Sequence, residues 1–156
     1  MAIQLNATYE FNARVEQVWD VLMDTTIVAG CLPGCRGLKP VGEDRYETEL
    51  VVAVAAISGD FKGTVGIEDK VPNQSYTMVV EGSGRPGFVK GRAHVTLVPA
   101  GGRTSVQIAA QADVGGMIAR VGQRLLEGVA RMTMDRFHGC LARRFSSPGA
   151  NLQSPP

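Results

Sequence analysis

The chain has 156 residues, 44% of them hydrophobic and 20% charged, with a formal net charge of +1. That suits one soluble globular domain and leaves no general electrostatic case for nucleic acid. No apolar run approaches the roughly 20 residues of a membrane span, and the N-terminus lacks a signal peptide's basic and apolar regions, so a cytoplasmic protein is expected.

Ile3, Leu5, Ala7, Tyr9 and Phe11 alternate with Gln4, Asn6, Thr8 and Glu10, the period of a half-buried strand. Asn12 is then placed to cap a helix with Val15, Val18, Trp19 and Leu22 on one face, ending near Asp24. A second short helix is expected over 26–29. Cys31-Leu32-Pro33-Gly34-Cys35 follows, a sharp loop by its Pro-Gly pair. The strands begin next, the first with Tyr46, Thr48, Leu50, Val52 and Val54 on one face. Ile57, Gly59, Phe61, Gly63, Val65 and Ile67 mark the following one, with Asp60, Lys62, Thr64 and Glu68 outward. Pro72-Asn73 turns into Tyr76, Met78 and Val80. Arg85-Pro86-Gly87 leads to Val89, Gly91, Ala93, Val95 and Leu97, and Ala100-Gly101-Gly102 makes a hairpin into Val106, Ile108, Ala110, Ala112 and Val114. Short connections between alternating strands imply antiparallel pairing.

The closing stretch, 115–144, contains no proline, and Ile118, Val121, Leu125, Val129 and Met132 recur on one helical face. A continuous helix there spans about 40 Å. Its glycines, Gly122, Gly128 and Gly139, each cost about 1 kcal/mol against alanine. They point either to close packing on a sheet or to room for a bound molecule. The expected fold is α+β: a curved antiparallel sheet wrapped around a long C-terminal helix, with two short helices after the first strand. One domain is assigned to 1–145 and a flexible tail to 146–156.

The inward positions Thr48, Gly59, Gly63, Gly91, Ala93, Ala110 and Ala112 are small. Sheet bending explains them, or a cavity between sheet and helix does. The candidate ligand-binding residues for such a cavity are Leu32, Pro33, Leu50, Val52, Phe61, Gly63, Val65, Met78, Val80, Val95, Ile118, Val121, Gly122 and Leu125, with the loop over 26–35 as its gate. Larger side chains at Gly63 or Gly122 are expected to fill it.

Little else carries chemistry. His94 falls on an outer strand face and His138 near the helix end, neither with a nucleophile beside it. Ser58-Gly59-Asp60 and Gly82-Ser83-Gly84 lack the context of a nucleophile elbow or a phosphate cradle. No catalytic residue, metal site or cofactor is assigned. Three cysteines fit a reducing compartment better than a disulfide framework. Zinc needs four ligands, and redox pairs are usually closer in sequence, so Cys31 and Cys35 are expected as free thiols in a lid. Arg120, Arg124, Arg131, Arg143 and Arg144 form either an ordinary solvated face or a basic surface with weak attraction for anionic lipid.

The segment from Phe11 through Val15-Glu16-Gln17-Val18-Trp19 to Asp24 resembles the entry of the START-like helix-grip (polyketide cyclase/lipid transport) superfamily. Within it, the Cys31-Leu32-Pro33-Gly34-Cys35 loop, Phe61-Lys62-Gly63-Thr64-Val65, Glu81-Gly82-Ser83-Gly84, and Asp113-Val114-Gly115-Gly116 with Gly122 resemble the G-subunit family of carbon monoxide dehydrogenase. The resemblance covers residues 2–145. It implies a helix-grip fold with an apolar cavity under the long helix. It also implies a non-enzymatic accessory protein of a molybdenum hydroxylase of the carbon monoxide dehydrogenase type, linking that enzyme to the inner face of the cytoplasmic membrane. Some members carry an extended C-terminal segment suited to membrane attachment; this sequence ends at Pro156 without one, so transient membrane contact is expected. The ligand expected is a quinone or other lipid. The alternatives are an assembly or recruitment factor without a physiological ligand, and a small polyketide-cyclase-like enzyme.

Overall fold

The computed structural model describes residues 1–54 and 57–145. The elements run β1 (Ala2–Phe11), α1 (Val15–Leu22), α2 (Thr25–Cys31), β2 (Cys35–Gly42), β3 (Arg45–Val54), β4 (Ile57–Val71), β5 (Ser75–Gly84), β6 (Gly87–Ala100) and β7 (Arg103–Gly115). A 3₁₀ turn (Met117–Val121) and α3 (Gln123–Ala142) complete them. The strands form one seven-stranded sheet in the order β1-β7-β6-β5-β4-β3-β2, every neighbouring pair antiparallel. The alternation predicted for β1 and β3–β7 is therefore the sheet's own pleat. The side chains of Val54 and Ile57, and the expected tail over 146–156, lie outside the described residues. No helix among the described residues is long and apolar enough to cross a membrane.

Three local expectations need correction. α1 is capped at Arg14 rather than Asn12, with the Gln17 side chain accepting the Arg14 N–H at 3.0 Å. The delay has a tertiary cause: Ala13 is buried, and its carbonyl accepts the Thr104 hydroxyl at 2.8 Å, which holds the chain extended past Asn12. α2 starts one residue early and runs to Cys31, with the Asp24 carboxylate accepting from Thr26 and Ile27 at 3.0 and 3.2 Å. The strand β2 was not anticipated. Its register slips between Cys35 and Leu38 and again between Pro40 and Gly42. Such bulges erase the two-residue period, and an edge strand tolerates the proline.

The largest correction concerns the C-terminal helix, which is not continuous. Gly122 sits at φ 98°, ψ 155°, a conformation open to glycine, and it separates the 3₁₀ turn from α3. At 1.5 Å per residue the 20-residue α3 is about 30 Å long. The break also resets the helical phase. Ile118 is buried, but past Gly122 the buried positions are Leu126, His138 and Leu141, while Leu125 is 40% exposed.

α3 packs along β1, the edge strand. Glu127 accepts the Gln4 N–H at 3.2 Å, Arg131 donates to the Asn6 carbonyl at 3.1 Å, and the Tyr9 hydroxyl donates to Asp135 at 2.7 Å. Side chains of the helix thus occupy backbone groups that an open edge offers to other strands. The His138 ring stacks on Tyr9 at 3.9 Å between centroids. Burial lowers the His138 imidazole pKa, only partly offset by its hydrogen bond to the Met134 carbonyl and by Asp135. Burial, then the bond to Asp135, raises that of Tyr9.

Two apolar clusters fill the interior. The larger joins Phe11, Val18, Trp19, Leu22, Tyr76, Val95, Leu97, Val106, Ile108 and Leu141. The smaller joins Phe61, Val114, Ile118 and Leu126.

Candidate ligand site on the concave face

Cross-strand register determines which side chains share the concave face. Val65, Val80, Gly91, Ala112 and Ile3 form one row across β4, β5, β6, β7 and β1; Ile67, Met78, Ala93, Ala110 and Leu5 form the next. Side chains are large on β4 and β5 and shrink to glycine and alanine on β6 and β7. Val65, Met78 and Val80 stand in the middle of a seven-stranded sheet, yet they are only half-buried, as are Leu50 and Val52 on β3. Apolar side chains at such central positions are normally covered.

The residues proposed from sequence divide into groups. Leu50, Val52, Phe61, Ile118 and Val121 come together in the smaller cluster. Met78 and Val95 belong to the larger one, where Val95 is buried as core. Val65 and Val80 lie on the concave face between them. Leu32 is half-buried and Pro33 exposed, at the loop joining α2 to β2. Leu125 does not join the wall, because the break at Gly122 turns it outward and puts Leu126 in its place. Val89, Val114 and Val129 also pack in the smaller cluster without having been proposed. Their periodic positions carried the signal.

The glycines separate the two readings left open for them. A Cβ on Gly63 meets the Glu81 carbonyl oxygen of β5, and one on Gly59 comes within 2.7 Å of Pro86. On Gly91 it comes within 3.0 Å of Ala112. These positions serve close strand approach and sheet bending, so Gly63 leaves no free volume to fill. A Cβ on Gly122, Gly128 or Gly139 meets nothing within 4 Å, which removes close packing as their reason.

The loop after α2 is stitched to the wall. The Gly34 carbonyl accepts the Val51 N–H at 2.9 Å, and at φ 75° a Cβ on Gly34 strikes the Val51 carbonyl. Cys31 is not a free thiol: it forms a disulfide with Cys140, 109 residues away, joining α2 to the last turns of α3. The four-residue spacing to Cys35 drew attention to the wrong pair. Cys35 is the free cysteine, its sulfur accepting the Gly37 N–H at 3.4 Å beside Thr48.

Two other concavities open to solvent and carry polar and charged side chains in their lining. One, of about 390 Å³, is lined by Gln4, Asn6, Thr77, Arg92, His94 and Gln111, with His94 bonded to Thr77 at 3.2 Å. A second, of about 760 Å³, lies over β2–β4 among Arg36, Lys39, Glu47, Glu49 and Lys62, where Arg36 pairs with Glu49 at 2.9 Å. Among the described residues no group of three or more His, Cys, Asp or Glu is arranged to hold a metal. At the end of the sheet where β6 begins and β7 ends, Phe88 is 48% and Met117 64% exposed, with Arg85 and Arg120 exposed nearby in sequence. The Phe88 ring lies against Gly115, where a Cβ has no room.

The family model for CoxG, the G-subunit of carbon monoxide dehydrogenase, matches residues 8–146. A conserved protein from Geobacillus kaustophilus is 34% identical, with a TM-score of 0.89 over 91% of this chain and 94% of that one. A START superfamily protein from Mycobacterium smegmatis is 17% identical with a TM-score of 0.68, over 90% of this chain and 95% of that one. The Zhui aromatase/cyclase from Streptomyces sp. R1128 is 15% identical with a TM-score of 0.67, over 97% and 100%. At such identities the last two show likeness of fold alone. Among curated proteins none matches.

Proposed function

Because the chain belongs to the CoxG family of carbon monoxide dehydrogenase and has the START-like helix-grip fold, we propose that it is a non-enzymatic accessory protein holding an apolar ligand between its sheet and α3. The observation that carries this reading is the half-buried apolar wall of Leu50, Val52, Val65, Met78 and Val80 at the centre of the sheet. A quinone ring or isoprenoid chain covering about 300 Å² of such a wall gains roughly 7 kcal/mol before the costs of association, enough for micromolar binding. The wall is apolar, which favours holding a ligand over chemistry on it.

Two further elements belong to the proposal. The partner is a molybdenum hydroxylase of the carbon monoxide dehydrogenase type, the enzyme that the family name points to. Membrane contact is transient and is made by the end bearing Phe88 and Met117. Their exposed side chains suit the headgroup boundary, and Arg85 and Arg120 each add about 1 kcal/mol on an anionic surface.

Extraction of the purified protein with organic solvent, followed by mass spectrometry and by calorimetry with a short-chain quinone, tests the ligand. Val80→Trp, which fills the wall, is expected to weaken quinone binding at least about tenfold while circular dichroism is unchanged. A parent protein that carries no apolar molecule and binds no quinone overturns the reading. If it nevertheless co-purifies with the hydroxylase, it is a recruitment factor.

A further inference from the structure

α2 spans the mouth of the curved sheet. α3 lies on β1, at one edge, whereas α2 packs against β2, the opposite edge, and against α3. Ile27 packs half-buried against the larger cluster, and the one buried residue of α2 is Cys31. That residue is the one cross-linked to α3, through Cys140.

The linkage is open to attack. Cys140 is half-buried, and each cysteine follows a glycine, Gly30 and Gly139, both exposed. A Cβ at either glycine meets no atom of another segment within 4 Å, so the helix surface next in sequence to each cysteine is uncovered. Cys31 sits in the larger core cluster, so the approach is from the side of Cys140. Thiol exchange needs such access.

We infer that the Cys31–Cys140 disulfide is a reducible latch, which holds α2 closed across the sheet while oxidised and releases it when a dithiol reduces it. In the exchange, a thiolate of the reductant attacks the Cys140 sulfur and the S–S bond breaks, with the electron pair leaving on Cys31, which takes up a proton. The reductant's second thiol, deprotonated, then displaces Cys140 as its thiolate, which is protonated in turn. The protein gains two electrons and two protons, and the dithiol becomes a disulfide. Released from α3, α2 keeps its Asp24 cap and the Gly34–Val51 tether. It is therefore expected to swing on these two ends rather than to dissociate. The latch stands on this geometry; what its opening admits rests on the apolar-ligand reading.

Thiol titration of the denatured full-length chain should find one thiol, Cys35, in the oxidised form and all three cysteines after dithiothreitol. Hydrogen exchange followed by mass spectrometry then compares the two forms. Amides of α2 are expected to exchange at least about tenfold faster on reduction, with those of β5–β7 unchanged. Cys140→Ser, at the less buried partner, should show the fast α2 exchange with or without dithiothreitol. The latch is refuted if the protein holds three thiols even after air oxidation, if α2 exchange is unaltered by reduction, or if the sheet accelerates equally. If reduction frees α2 while neither form takes up a short-chain quinone, the latch stands and the ligand reading falls.

Discussion

At the end of the interior next to α1, Phe11, Val18 and Leu141 keep 1% of their surface and Val106 none. Toward β3–β5, Leu50, Val52, Val65 and Val80 point into the same space and remain half-buried. Both regions are apolar, so composition does not distinguish them. What differs is what lies opposite. α1 sets Val18, Trp19 and Leu22 against the first, with Trp19 meeting Tyr76 edge-on at 5.8 Å, and the last turns of α3 add Leu141. Opposite the second, the chain runs through the 3₁₀ turn and the break at Gly122, and α3 then leans on β1 rather than on the middle of the sheet. One region is closed by α1 and the end of α3; the other is covered in part, by Ile118 and Leu126.

The sharpest way to break this contrast is to truncate matched side chains. Leu141→Ala in the closed region should cost about 3 kcal/mol in urea unfolding, since its cavity has nothing to collapse into it. A loss below about 1 kcal/mol shows that this end is looser than its burial suggests.

Acid provides the next test, because His138 lies beside Leu141. Burial holds its imidazole below the ordinary value of 6.5, so the folded protein keeps it neutral where the unfolded chain takes up a proton. Its contribution is complete above pH 6.5 and is lost as pH falls below that value, with a slope of at most about 1.4 kcal/mol per pH unit. His138→Gln should flatten the part of the stability profile just below pH 6.5. An unchanged slope places the titrating group elsewhere.

Leu50→Ala probes the open region. A half-buried side chain at the margin of the smaller cluster should cost about 1 kcal/mol, well under the value for Leu141. Equal losses erase the distinction between the two regions. The smallest effect is expected at Leu125, where a continuous helix predicts a large one. Leu125→Asp should shift stability by no more than about 0.5 kcal/mol, because the side chain is already in water. A loss of several kcal/mol restores the unbroken helix and removes the role given to Gly122.

The sequence by itself determined the parts whose signal is local. Alternation in β1 and β3–β7, the apolar face of Val18, Trp19 and Leu22, and the Gly101-Gly102 hairpin, where both residues take positive φ, are legible because neighbours within a few positions set them. The wall residues Leu50, Val52, Val65, Met78 and Val80 were legible for the same reason, since the two-residue period assigns a face before any partner is known. Tertiary structure alone decided the rest. Gly122 costs a helix only about 1 kcal/mol, so periodicity reads through it; seating Ile118 under the Pro86 carbonyl and α3 on β1 demands a turn there that only glycine makes. Once it turns, the buried face shifts and Leu126 replaces Leu125, while Val129 still packs in the smaller cluster. Cys31 found Cys140 rather than Cys35 because α2 and the end of α3 meet in space. Gly63 was small for the sake of a carbonyl on β5, not for a ligand. Each of these depends on a contact between residues distant in sequence, which no local pattern encodes.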